Sequence, residues 1–192
     1  MITPAADLDA AIAAVREVLT PETDRDWAAL PGTGDWAAQQ TAAHIGDCLV
    51  SYAGQLVARP ADRYVRFLAV AEDGSSPADA LEFALAGAAI LAAVVRTTEA
   101  SVRAFHPTGP AGPAEFAALG CGELLVHGED IARGLGRSLT PPPELCTHLL
   151  KELFPTAAPS LGDVDPWTAL KWATDRADLP GRPRQTGWRW RS

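Results

Sequence analysis

The stretch ALAGAAILAAVV, residues 84–95, decides the fold class. Small and aliphatic side chains fall on every side of a helical wheel there, so a helix over this stretch is expected to be buried. The apolar run that contains it, Phe83 to Val95, has 13 residues. That is too short to span a bilayer, which takes about 20. The predicted helix covers roughly 78–104, with Pro77 at the favoured first position and Ser75 and Ser76 as caps. As the longest and most apolar helix, it is expected in the centre of the protein.

Helical patterns continue on both sides. Upstream, Leu8, Ile12, Val15 and Leu19 form one helical face over residues 5–20, which Pro21 ends. A polar connection through PGTGD, 31–35, leads to a second helix over about 35–57. Downstream, HPTGPAGP, 106–113, breaks the chain, and AEFAALGCGELLVHGEDIARG, 114–134, predicts a fourth helix with Gly134 and Gly136 as C-terminal caps. After the prolines at 141–143 come two shorter helical patterns, ELCTHLLKELF and WTALKWATDRA. The segment PGRPRQTGWRWR, 180–191, reads as an extended arm with Trp188 and Trp190 on one side. The expected fold is therefore all-α. Residues 1–140 form an antiparallel four-helix bundle, and residues 141–192 form a C-terminal helical appendage with a Trp- and Arg-rich tail packed on it.

Composition agrees. Alanine fills 37 of 192 positions against 2 Tyr and 5 Phe, a balance that favours helix over sheet. With 47% hydrophobic and 21% charged residues, the chain is not of the disordered class. The net charge of −8 makes nucleic acid and anionic lipid poor partners. Cys48, Cys121 and Cys146 are an odd number with no close pair, which predicts free thiols in a reducing compartment, the cytoplasm. The opening MITPAADLDA lacks the basic and apolar regions of a signal peptide. There is no GxGxxG, P-loop, HExxH, GxSxG or CxxC, so nucleotide binding, phosphoryl transfer and serine hydrolysis have no support.

The chemistry is concentrated in scarce histidines. On the fourth helix Glu123 precedes His127 by four positions, a spacing that puts both on one face. Asp130 follows at nearly the same angle. On the second helix His44 is followed by Asp47, so AHIGD, 43–47, and VHGED, 126–130, carry related patterns. If the two helices face each other, His44, Glu123 and His127 make a two-histidine, one-carboxylate set with room for water or substrate on a divalent ion. Zinc is the first expectation; nickel, iron or manganese suit the same ligands. Asp47 and Asp130 are candidates to orient the imidazoles. Spacing alone also permits a Glu–His surface pair and ordinary core histidines.

Two segments carry a family resemblance. GDWAAQQTAAHIGD, 34–47, and ELLVHGEDIARGLG, 123–136, resemble the two metal motifs of the DinB-like superfamily, specifically its mycothiol-dependent maleylpyruvate isomerase group. The closing DPWTALKWATDRADLPGRPRQTGWRW, 165–190, is similar to the tail of its short actinobacterial members. The resemblance implies a metal on His44, Glu123 and His127. It also implies a low-molecular-weight thiol, mycothiol or bacillithiol, used in S-transfer to, or isomerisation of, a small electrophile. The isomerase itself carries a larger C-terminal domain than the roughly fifty residues found here. A thiol-independent metal hydrolase or biosynthetic enzyme, and a non-catalytic metal-binding bundle, are the alternatives. A monomer or a homodimer fits either.

The remaining candidates have quieter readings. Arg176, Arg182 and Arg184 could clamp carboxylates of a cosubstrate, with a solvated or Trp-stacking role as the alternative. Trp167, Trp172, Trp188 and Trp190 are expected to pin the tail. Cys48 reads as a small buried hydrophobe, Cys121 as facing away from Glu123, His106 as a solvated loop residue and His148 as surface.

Overall fold

The computed structural model describes residues 3–191. Met1, Ile2 and Ser192, the ends of the opening segment and of the tail, lie outside them. The described residues form six α-helices and two short 3-10 turns, with no strand beyond two isolated bridges. The all-α expectation therefore holds. The chain divides into two compact units, one through Leu139 and one from Thr140.

In the first unit α1 spans Pro4–Leu19, α2 Ala38–Ala58, α3 Pro77–Thr97 and α4 Pro113–Gly134. Three of these four helices begin at a proline. Proline lacks the N–H that the first turn leaves unpaired, and its φ already suits a helix. Caps add to this. Ser76 Oγ accepts from the Asp79 N–H at 3.2 Å, and Asp79 Oδ2 accepts from the Ser76 N–H at 2.8 Å. The Gly112 N–H donates to Glu115 Oε2 at 3.0 Å at the start of α4.

Two predicted ends move. Helix α2 starts at Ala38 rather than 35, because residues 32–36 form a turn closed by Gly32 N–H to Trp36 O at 2.8 Å. Helix α3 stops at Thr97 rather than 104. Thr98 takes an extended conformation, and its hydroxyl donates back to Val94 O at 2.7 Å.

The helices of this unit pack on one another, α2 against α3 and α4, and α1 against α3 and α4. Two glycines bring α2 and α3 close. A methyl group on Gly46 would stand 2.5 Å from the Phe83 ring, and one on Gly87 would stand 3.0 Å from Gly46 O. The central helix is α4, not α3. Every residue from Phe116 to Glu129 is buried, whereas Glu82, Ala86, Ala89, Ile90 and Ala93 of α3 are exposed. Mean apolarity misled here, because alanine is cheap to expose and its abundance carries little information about burial. Helix α3 is also the one described helix long and apolar enough to cross a membrane, and half of its most apolar window is buried in the structure.

The second unit holds α5, Pro143–Leu153, a 3-10 turn at 158–161 and α6, Pro166–Ala173. Residues 180–191 form no strand, and turns or bends at 180–182, 186–187 and 190–191 interrupt the expected extended arm. Trp188 and Trp190 nevertheless share a side. Their rings lie 4.7 Å apart, and both meet Phe154, at 6.3 and 5.9 Å. Trp172 Nε1 donates to Pro183 O at 3.1 Å, which fastens the tail to α6. An apolar cavity of about 300 Å³ lies between α5 and the 155–166 segment.

Candidate metal centre

Helices α2 and α4 bring His44, Glu123 and His127 together. Glu123 is buried, and its Oε2 lies 3.0 Å from His127 Nε2 and 3.9 Å from His44 Nε2. The two imidazoles meet edge to face with ring centres 5.1 Å apart. The other carboxylate oxygen, Oε1, accepts from the Tyr52 hydroxyl at 3.0 Å. Tyr52 thus fixes the rotation of the carboxylate, so that Oε2 points at both histidines.

A loop supplies the next support. Pro31 to Asp35 reaches across the end of α4, and this needs Gly134, where a methyl group would stand 2.1 Å from Pro31 O. Thr41 Oγ1 accepts from the Thr33 N–H at 2.9 Å and holds the loop to α2. Thr33 Oγ1 then stands between two groups of α4. It donates to Asp130 Oδ2 at 2.7 Å and lies 2.8 Å from His127 Nδ1. With its proton committed to Asp130, the hydroxyl accepts from Nδ1–H. That assignment makes Nε2 of His127 the nitrogen facing Glu123. Asp130 therefore acts on His127 mainly through Thr33; its own Oδ2 is 3.6 Å from Nδ1.

Asp47 does a different job. Its Oδ1 accepts from the Ala69 N–H at 2.8 Å and fastens the 59–76 connection along α2. Gln55 holds the same connection through Val65 N–H, at 2.7 Å, and Arg63 O, at 3.3 Å.

Cys48 is the residue that the sequence reading set aside. One turn after His44, its Sγ is 3.5 Å from His44 Nε2, and it is half-buried rather than sequestered. The ligand atoms of His44, Cys48 and Glu123 all lie within 4.8 Å of one another. This group can hold a metal ion. Ligand atoms of a tetrahedral zinc at ordinary bond lengths stand roughly 3.3–3.6 Å apart; within this group Cys48 Sγ to His44 Nε2 is 3.5 Å and His44 Nε2 to Glu123 Oε2 is 3.9 Å.

Electrostatics favour His44 and Glu123 as donors and disfavour ionisation of the Cys48 thiol. Burial, and then the charge of His127, lower the His44 pKa, which leaves its imidazole neutral with a lone pair to give. Burial pushes the Glu123 carboxyl up, but the hydrogen bond and charge of His127, the charge of His44 and the Tyr52 hydroxyl outweigh it and hold it below its usual range. Burial and the neighbouring Glu123 and Asp47 carboxylates push the Cys48 thiol up. Among the described residues, the most exposed of the three predicted ligands is His44, with 31% of its side chain accessible. Trp36, 44% exposed, lies against it with ring centres 5.0 Å apart.

Comparison of the chain with protein-family models, curated proteins and solved structures finds no match.

His106 corrects a second expectation. It is buried, only 5% exposed, because the 104–111 loop folds back on itself through paired Ala104 and Ala111 backbones. Its ring lies 5.9 Å from Tyr52 and 6.0 Å from Phe116, so it backs the tyrosine that holds Glu123. Tyr64 and Phe105 complete this aromatic group, and burial raises the Tyr64 hydroxyl to about 12. Nothing in the local sequence distinguished Thr33, Tyr52 or His106. Only the i, i+4 step from His44 offered a signal for Cys48.

The arginine candidates are engaged inside the second unit. Arg184 Nε donates to Asp175 Oδ1 at 2.7 Å, and Arg182 donates to Ser160. Arg176 stacks over Trp188 at 5.4 Å. His148 is half-buried, 3.8 Å from Glu152. Cys121 is fully buried, which raises its thiol pKa.

Proposed function

We propose that this protein is a metal-dependent enzyme of the DinB-like, mycothiol-dependent maleylpyruvate isomerase type. Its first unit is then an antiparallel four-helix bundle that uses a low-molecular-weight thiol for S-transfer to, or isomerisation of, a small electrophile. The observation that carries the reading is the approach of His44 and His127, from two helices, to the same Glu123 oxygen, Oε2, at 3.9 and 3.0 Å. His44 and His127 give nitrogen donors, and Glu123 gives one negative oxygen. Tyr52 keeps that oxygen aimed, and Thr33 with Asp130 keeps the His127 ring from turning. When bound, a divalent ion, zinc first, would lower the pKa of a thiol so that the thiolate, the nucleophile, forms near neutral pH. His44 and Trp36 lie on the accessible side, where a small-molecule substrate would enter.

A cytoplasmic location follows from the three free cysteines, and the net charge of −8 argues against nucleic-acid and anionic-membrane partners. A monomer and a homodimer are both compatible with the reading. One observation favours the second reading, a thiol-independent hydrolase or biosynthetic enzyme: Cys48 Sγ already stands 3.5 Å from His44 Nε2, where an incoming thiol would compete with it. The test is turnover of a panel of electrophiles by zinc-loaded protein with and without mycothiol. Thiol-dependent turnover that is lost in Glu123→Ala is expected. Equal turnover without thiol would favour the second reading, and turnover in metal-free Glu123→Ala would refute both.

A further inference from the structure

Cys48 has no place in the three-ligand set, yet its sulfur stands among the ligand atoms. We infer that Cys48 is a metal ligand together with His44 and Glu123, so that the centre carries a protein sulfur and is selective for a thiophilic ion. The inference rests on the metal reading above and goes beyond it in ligand identity, metal class and the origin of the sulfur.

The geometry carries it. Cys48 follows His44 by one helical turn, so both side chains leave α2 on the same face. The Sγ to Nε2 separation of 3.5 Å matches the ~3.6 Å expected between a sulfur and a nitrogen on one tetrahedral zinc. Sγ, His44 nitrogen and Glu123 oxygen lie mutually within 4.8 Å, while Glu123 Oε2 also faces His127 at 3.0 Å. Glu123 is thus shared between the sulfur side and the second histidine. The other two thiols have no such place. Cys121 is buried on α4 at a position two residues from Glu123, and Cys146 belongs to the second unit.

Ligand chemistry gives the consequence. A thiolate favours zinc and cobalt over manganese and magnesium, which prefer oxygen. Binding releases the thiol proton to solvent and forms one metal–sulfur bond, with no change of oxidation state.

Cobalt(II) tests this without reference to turnover. Wild type, Cys48→Ser, Cys48→Ala and Glu123→Ala are loaded with cobalt by equilibrium dialysis, checked for folding by circular dichroism, and scanned for absorption. The expected wild-type result is one cobalt per chain with a sulfur-to-cobalt charge-transfer band in the near ultraviolet. Both Cys48 variants should keep the ion, lose the band, and show a zinc-over-manganese preference lower by about tenfold or more, since even outer partners of a ligand are worth ~10–100-fold. One cobalt per chain without the band, or a band that survives in the Cys48 variants, overturns the sulfur ligand and leaves the three-ligand reading standing. No cobalt in the wild type overturns both. The wild-type spectrum decides even if a variant fails to fold.

Discussion

His44-x-x-Asp47 on α2 and His127-x-x-Asp130 on α4 are the same pattern in sequence and different devices in the structure. On α4 the aspartate works on the histidine, with Thr33 Oγ1 as the bridge at 2.7 and 2.8 Å. On α2 the aspartate turns to the Ala69 N–H and holds a loop. The i, i+3 spacing sets which side chains share a helix face, but what lies opposite that face sets what they do. Opposite α4 is a loop that Gly134 lets in; beside α2 runs the long connection to α3. The two histidines differ accordingly. His127 is buried and held from both ring nitrogens, whereas His44 is partly exposed and has the Cys48 sulfur and the Trp36 ring for neighbours.

The sharpest way to break this comparison is at the residue both histidines share. Glu123→Ala should remove stoichiometric metal and lower stability by about 3–5 kcal/mol, because it strips the partner from a buried polar group. Metal analysis and denaturant unfolding measure the two effects. Retained metal would mean that the helices do not share a site.

His127→Ala and His44→Ala should separate next. Both should lose metal. Without metal, His127→Ala should cost about 2–3 kcal/mol, and the more exposed His44→Ala under about 1 kcal/mol. Equal costs in denaturant unfolding of chelated protein would contradict the asymmetry.

Thr33→Val tests the bridge. It keeps the shape and removes the hydroxyl, so zinc affinity should fall ~10–100-fold while the fold persists. A competition titration against a chromophoric chelator reads it. The smallest effect is expected at Asp47→Asn: zinc affinity within about threefold of wild type, since loss here falls on the loop rather than on a ligand. Limited proteolysis should instead quicken within 59–76. A drop in affinity as large as that of Thr33→Val would give Asp47 the role that its spacing first suggested.

The sequence made some of this readable and not the rest. The start of α3 was legible because proline and serine act locally at Ser76-Pro77. The Glu123–His127 pair was legible because i, i+4 is a property of one helix. Thr33, Tyr52 and His106 were not, because each acts across the chain: the Thr33–Asp130 bond joins residues 97 positions apart. The rank of α3 over α4 misread apolarity as burial. Cys48 reads in sequence as a small buried hydrophobe, the usual fate of free cysteine, and the 3.5 Å approach of its sulfur to His44 Nε2 is visible only in the fold.

The central claim is that α2 and α4 hold one ion between them. Metal content by mass spectrometry, on wild type, His44→Ala and His127→Ala purified side by side without chelator, tests it most directly. About one divalent ion per wild-type chain, lost in each variant, is the predicted result. No metal in the wild type after incubation with zinc, or metal retained when either histidine is removed, would contradict it.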